Sequence, residues 1–76
     1  MPKLPRASAE KIIKALERLG FVVMRQRGSH VVLRKETSGG AIGCAVPLHK
    51  ELKVGTLRGI LRQAKVDPEE FMEKLR

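Results

Sequence analysis

The sequence has little of what aromatic-rich, disulfide-linked or membrane-spanning proteins depend on. Its 76 residues include two Phe, no Trp, no Tyr and a single cysteine, Cys44. One cysteine excludes an internal disulfide and a four-cysteine zinc site, and it favours a reducing compartment, so we expect a cytoplasmic protein. No apolar run approaches the roughly 20 residues that cross a bilayer, so we expect no membrane partner. The start, Met-Pro-Lys-Leu-Pro-Arg, lacks the apolar segment of a secretion signal.

Acidic residues are also scarce, except near the C-terminal end. The chain has 16 Lys and Arg against 8 Asp and Glu, a net charge of +8. Residues 67–76 carry a net charge of −2, whereas residues 1–66 carry +10. A chain this short predicts one domain, residues 1–76, with a thin aliphatic core. So basic a body indicates a polyanion, an acidic protein or both as partners, and the alternative is a merely solvated surface.

Three amphipathic segments predict helices. The first begins at the N-cap Ser8, and residues 1–7, which contain two prolines, are expected to trail over the surface as a flexible segment. The second follows a polar connector, and Thr56 is its candidate cap. The third is a short terminal helix within 67–76. Its start is marked by an acidic N-cap, a proline and a glutamate in a capping-box arrangement: Asp67, Pro68 and Glu70.

Three short β-rich segments lie between the first two helices. Residues 21–27, 30–36 and 41–46 predict strands of an antiparallel meander. Gly28-Ser29 fits a two-residue hairpin turn, and residues 37–40 form a Gly- and Ser-rich turn. The predicted order is therefore α-β-β-β-α plus a terminal helix, an α+β fold with the helices on one face of a three-stranded sheet.

Side-chain alternation assigns residues to the two faces of this sheet. In the third strand the larger side chains are expected to face the core. The second strand allows two choices: either Val31 and Leu33 point inward, or Val32 does and His30 points at the edge of the core. We favour the first choice because it buries two apolar residues and no arginine. His30 then lies on the open face.

His30 is the candidate catalytic residue, because it follows the Gly28-Ser29 turn on a basic sheet. The unperturbed pKa of a histidine side chain, about 6.5, lets it take and give protons near neutral pH. RNA cleavage needs a proton removed from the ribose 2′-OH and one given to the leaving 5′-oxygen, and a positioned histidine contributes about 10²–10⁴-fold. Gly28 and Ser29 are candidate RNA-binding residues, since a glycine lets a phosphate approach closely. The alternative is an ordinary turn histidine.

Other residues complete the candidate site. His49 follows the third strand and is a candidate RNA contact or the acid–base partner of His30; a metal site of both histidines with Cys44 is the weaker alternative, and we expect no metal or cofactor. The absence of an exposed aromatic residue argues against base stacking. Four cations around the first hairpin are candidate phosphate contacts, or residues that protect an edge strand from aggregation: Arg25, Arg27, Arg34 and Lys35.

Four short motifs occur in a specific order along the chain: Gly28-Ser29-His30, Val46-Pro47-Leu48-His49, residues 55–64 and Glu70-Phe71. Their order and spacing, from about Ser8 to Phe71, resemble the HicA (YcfA-like) toxin family. The resemblance implies a double-stranded-RNA-binding-domain-like fold and an mRNA interferase of a type II toxin–antitoxin system. It also implies that His30 is the essential histidine and that a HicB-like antitoxin blocks the site. The expected function is a metal-independent endoribonuclease, and the alternative is a non-catalytic RNA-binding module of the same fold.

Overall fold

The computed structural model describes residues 4–76 and contains six elements. In chain order they are α1 Ala9–Arg18, β1 Val22–Arg27, β2 His30–Thr37, β3 Gly40–Pro47, α2 Val54–Ala64 and α3 Pro68–Leu75. The sheet order is β1-β2-β3 with both pairs antiparallel. The predicted α-β-β-β-α order with a short terminal helix is confirmed, and so is the double-stranded-RNA-binding-domain-like fold that the family resemblance implied. No helix of the described chain is both long and apolar enough to cross a membrane.

One face of the sheet holds the core and the other faces solvent. Val31 and Leu33 of β2 are buried, as are Cys44 and Val46 of β3, and α1 and α2 both contact β3. The favoured choice for β2 is therefore confirmed. His30 and its alternate neighbours on β2 lie on the opposite, open face because successive residues of a strand point to opposite sides.

Helix α1 ends at a glycine turn that leads directly into the first strand. Gly20 adopts a φ of +102° directly after the helix. The Phe21 N–H donates to the Leu16 carbonyl at 3.0 Å, and the Gly20 N–H donates to the Glu17 carbonyl at 3.0 Å. These two bonds are those of a Schellman motif, which satisfies the last carbonyls of the helix. At the other end, Ser8 Oγ accepts from the Lys11 N–H at 3.3 Å, which confirms the predicted N-cap.

Replacing Gly20 by alanine is expected to lower the free energy of unfolding by about 1 kcal/mol or more. An alanine would have to adopt the positive φ of Gly20, which L-residues disfavour, and its Cβ would lie only 3.2 Å from Cε of Lys35. Gly59→Ala is the matched control, because nothing within 4 Å would meet its Cβ in the middle of α2. That change should stabilise the protein by up to about 1 kcal/mol, the helix preference for alanine. Urea midpoints that move in the same direction for both variants would contradict this account.

The segment before α1 differs from its prediction. Leu4 and Ala7 are buried, and Ala7 pairs with Leu52 through a hydrogen bond from the Leu52 N–H to the Ala7 carbonyl at 2.8 Å. Residues 4–7 therefore do not trail over the surface, because their apolar side chains join the core and their backbone finds a partner. The expectation for residues 1–3 lies outside the described residues.

The two later helix starts also differ in detail from the prediction. Lys53, not Thr56, occupies the N-cap of α2, since its backbone is extended and the helix begins at Val54. Thr56 lies inside the first turn. Asp67 does hold the N-cap position of α3 with proline following it, but its side chain makes no capping hydrogen bond. The helix is held instead by packing, because Phe71 is completely buried.

Candidate functional site

The first hairpin positions His30 at one end of the open face. Gly28 has a φ of +58°, the left-handed conformation that a tight two-residue turn requires. Arg27 and His30 pair directly across this turn, and His30 also pairs with Pro47 on its other side. Directly paired residues point to the same face of a sheet. Arg27, His30 and Pro47 therefore form one row across the three strands, which we call the His30 row.

Hydrogen bonds hold this turn from both sides. The Leu48 N–H donates to the Ser29 carbonyl at 2.7 Å, so the turn is tied to the chain that leaves β3. Gln26 Nε2 donates to the Gly28 carbonyl at 3.1 Å. The exposed His30 side chain is thus presented from a backbone that is anchored on two strands.

Arginines surround His30 on the same face. Arg25 pairs with Val32 in the next row, and Val22 pairs with Arg34 in the row after it. The pairing shifts between Val23 and Arg25, so Met24 is an extra residue that bulges out of β1. The structure therefore brings three of the four predicted hairpin cations to the open face with His30: Arg25, Arg27 and Arg34.

Arg34 is paired on this surface. Its Nη2 lies 3.0 Å from Oε1 of Glu36, the next residue on the same face of β2. Both side chains are more than half exposed, and such a pair contributes only about 0–1 kcal/mol. A bound anion can therefore compete with Glu36 for the guanidinium of Arg34.

Lys35 lies on the other side of the sheet from His30. It pairs with Ile42, a residue of the core face, and its Nζ lies 5.8 Å from the centroid of the Phe21 ring. This is the distance of a cation–π contact. The structure therefore separates Lys35 from the other candidate phosphate contacts.

His49 lies beyond the end of β3, outside the sheet. It is exposed, and its carbonyl accepts from the Ala9 N–H at 3.1 Å at the start of α1. Only Leu48 separates it from Pro47, the β3 partner of His30. The two histidine side chains share no hydrogen bond in the described part of the chain.

Cys44 is on the core face, on the opposite side of the sheet from His30. It is buried, and this burial raises the pKa of its thiol to about 11, so the thiol is protonated at neutral pH. Within residues 4–76 no group of three or more His, Cys, Asp and Glu side chains is placed to hold a metal ion. Because Cys44 lies on the core face and His30 on the open face, the structure does not bring both histidines and Cys44 together as one ligand set.

The open face also holds a shallow depression that the sequence did not predict. It has a volume of about 500 Å³ and borders the rows of Arg25 and Arg34. The residues that line it come from all three strands, among them Met24, Arg25, Val32, Arg34 and Gly43. The available signal was the run of small residues at alternate positions of β3, Ala41, Gly43 and Ala45.

A known protein family matches the part of the chain that contains the whole open face. Residues 9–66 match a family model described as the HicA toxin of bacterial toxin–antitoxin systems. The match includes α1, the three strands and α2, and hence the His30 row and the depression. The resemblance predicted from the order of the short motifs is thereby confirmed. No curated protein matched the chain.

Proposed function

Because the chain belongs to the HicA toxin family of bacterial toxin–antitoxin systems, we propose that this toxin is an endoribonuclease that cleaves mRNA without a metal ion. His30 is the residue that transfers protons. The His30 row supports the proposal, since it combines an exposed imidazole with the Arg27 guanidinium on one face of a strongly basic body. A guanidinium there can hold a phosphate and stabilise the charge that develops on it.

The reaction follows from groups on the RNA itself. His30 accepts the proton of a ribose 2′-OH, and the 2′-oxygen forms a bond to the adjacent phosphorus. The bond from phosphorus to the 5′-oxygen breaks, and that oxygen takes up a proton from His49, a neighbouring cation or water. The products are a 2′,3′-cyclic phosphate and a 5′-hydroxyl, and no co-reactant is consumed.

The chemistry of the cut ends tests this mechanism. Purified toxin and a short RNA should yield 2′,3′-cyclic phosphate or 3′-phosphate ends, resolved by mass spectrometry, at a rate that excess EDTA does not change. A 3′-hydroxyl end with loss of cleavage in EDTA would indicate metal-activated water instead. RNA binding that depends on salt but leaves the RNA uncut would favour the non-catalytic binding module.

The partner that we propose is a HicB-like antitoxin protein, which acts on the toxin in the cytoplasm. A toxin of a toxin–antitoxin pair requires a partner that blocks it. The open face supports an acidic partner, since residues 1–66 carry a net charge of +10 and three arginines lie on that face. Such a partner would compete directly with RNA for the His30 row.

A further inference from the structure

The open side of β3 is made of unusually small residues. Ala41, Gly43 and Ala45 alternate along it, although alanine and glycine are poor strand formers. Gly43 does not have a left-handed φ. A Cβ added to it would meet only the Leu33 carbonyl oxygen, at an ordinary 3.7 Å. The fold would therefore accept a larger side chain at position 43. Neither the backbone conformation nor close packing requires a glycine there, and its effect is to leave space on the open face.

That space is the 500 Å³ depression, which we call the Gly43 groove. Gly43 forms part of its lining, and Met24 and Val32 supply apolar walls. Arg25 and Arg34 add two guanidinium groups to the same lining. An apolar slot beside cations is complementary to a flat heterocycle that is attached to a phosphate backbone.

The Gly43 groove covers the next two rows along the strand from the His30 row, since Val32 pairs with Ala45 and Arg34 pairs with Gly43. Val32 follows His30 by two residues on the same face of β2, about 6.8 Å along the strand. This is comparable to the length of one nucleotide of an extended RNA strand. An RNA whose phosphate lies at His30 and Arg27 can therefore place a neighbouring base over Val32, with the base extending toward Gly43 in the adjacent row.

We propose that the Gly43 groove binds one unpaired nucleobase next to the phosphate that is cleaved. This inference rests on the proposed RNA cleavage and names a subsite of it. The platform is aliphatic, so it requires none of the aromatic residues that the sequence lacks. At its edge, the pair of Arg34 and Glu36 presents both N–H donors and a carboxylate acceptor to the polar edge of a base.

The first experiment measures binding without cleavage. The His30→Ala variant is titrated with short single-stranded RNAs in which each nucleotide in turn is replaced by an abasic ribose, and fluorescence anisotropy gives the Kd. One position is expected at which loss of the base weakens binding by about tenfold, toward the lower end of the range for base stacking. Equal affinity for every abasic RNA would overturn the proposal.

The second experiment adds Gly43→Val to the same background. Valine suits a strand and fills the groove, so binding of the intact RNA should weaken by about tenfold, while the RNA that lacks the critical base should bind both chains equally. Gly59→Ala, on the far helix α2, is the matched control and should leave all affinities unchanged. Equal weakening of intact and abasic RNA by Gly43→Val would overturn a base subsite.

The cleavage reaction separates this inference from the proposed function. Gly43→Val with His30 intact should raise KM for the intact RNA and retain cleavage at the same bond. Loss of inhibition by the antitoxin with unchanged RNA binding would instead assign the groove to a protein contact and overturn the proposal. Failure of the parent chain to cleave any RNA would overturn the proposed function, whereas the binding experiments would still decide the base subsite.

Discussion

Replacing His30 by alanine is expected to reduce RNA cleavage by about 10²–10⁴-fold, the contribution of a positioned proton-transfer group. The imidazole is exposed at the end of the open face and makes no hydrogen bond to another described side chain. Its removal should therefore change the free energy of unfolding by no more than about 0.5 kcal/mol. The first-order rate of cleavage of a labelled RNA, with the urea midpoint measured on the same preparation, checks both parts.

His49→Ala tests which group supplies the second proton. It removes an imidazole that is also exposed but lies beyond the sheet, at the start of α1. A small effect on cleavage assigns the second proton to another cation or to water. An effect as large as that of His30→Ala makes His49 the acid. A folded His30→Ala chain that cuts RNA at the parental rate would refute the mechanism.

The same substitution has an expected consequence in cells. Expression of the chain without an antitoxin should arrest growth, and His30→Ala should abolish the arrest while the protein accumulates to the same level. Arrest by a stable, folded His30→Ala chain would mean that toxicity comes from binding and not from cleavage.

The second large effect is on stability. Phe71→Ala is expected to lower the free energy of unfolding by about 3–5 kcal/mol, because it removes a completely buried aromatic side chain and leaves a cavity. A chain of this length has only about 4–11 kcal/mol to lose. We therefore expect partial or complete unfolding at 37 °C, measured by circular dichroism and urea titration.

Phe71 tests whether α3 belongs to the folding unit, because α3 lies beyond residues 9–66 of the family match. Helix α3 is anchored to α1 by Arg18, whose Nη1 donates to the Lys74 carbonyl at 2.6 Å. Glu70→Ala is the matched control, since Glu70 is its exposed neighbour on the same helix and should change stability by no more than about 0.5 kcal/mol. Equal urea midpoints for the Phe71→Ala and parent chains would show that α3 contributes little to folding.

Local patterns predicted most of the fold because each acts over a few residues. Ser8 caps α1 and Gly20 ends it, since a side-chain acceptor and a left-handed backbone are local requirements. The prediction for Thr56 was wrong for the converse reason. Lys53 holds the cap position without a side-chain bond, so the start of α2 is set by how its apolar face meets the core, which includes Leu57 and Leu61.

The candidate site was predicted in part. The Gly28-Ser29 turn places Arg27 opposite His30, and alternation then carries Arg25 and Arg34 to the same face. Lys35 is near these arginines in sequence, but it follows Arg34 by one residue, and an odd step along a strand moves a side chain to the other face. The hypothesis of an acid–base pair between His30 and His49 stays a prediction.

The sequence by itself determined the basic body, the order of helices and strands, the family and the histidine at the first hairpin. These depend on composition, short-range spacing and turn chemistry, which are properties of neighbouring residues. Tertiary structure alone decided that Leu4 and Ala7 join the core, that Met24 bulges from β1, and that a groove lies over Gly43. Each of these arises from chain segments that meet only after folding, since the free volume over one strand depends on the side chains that its neighbours place beside it.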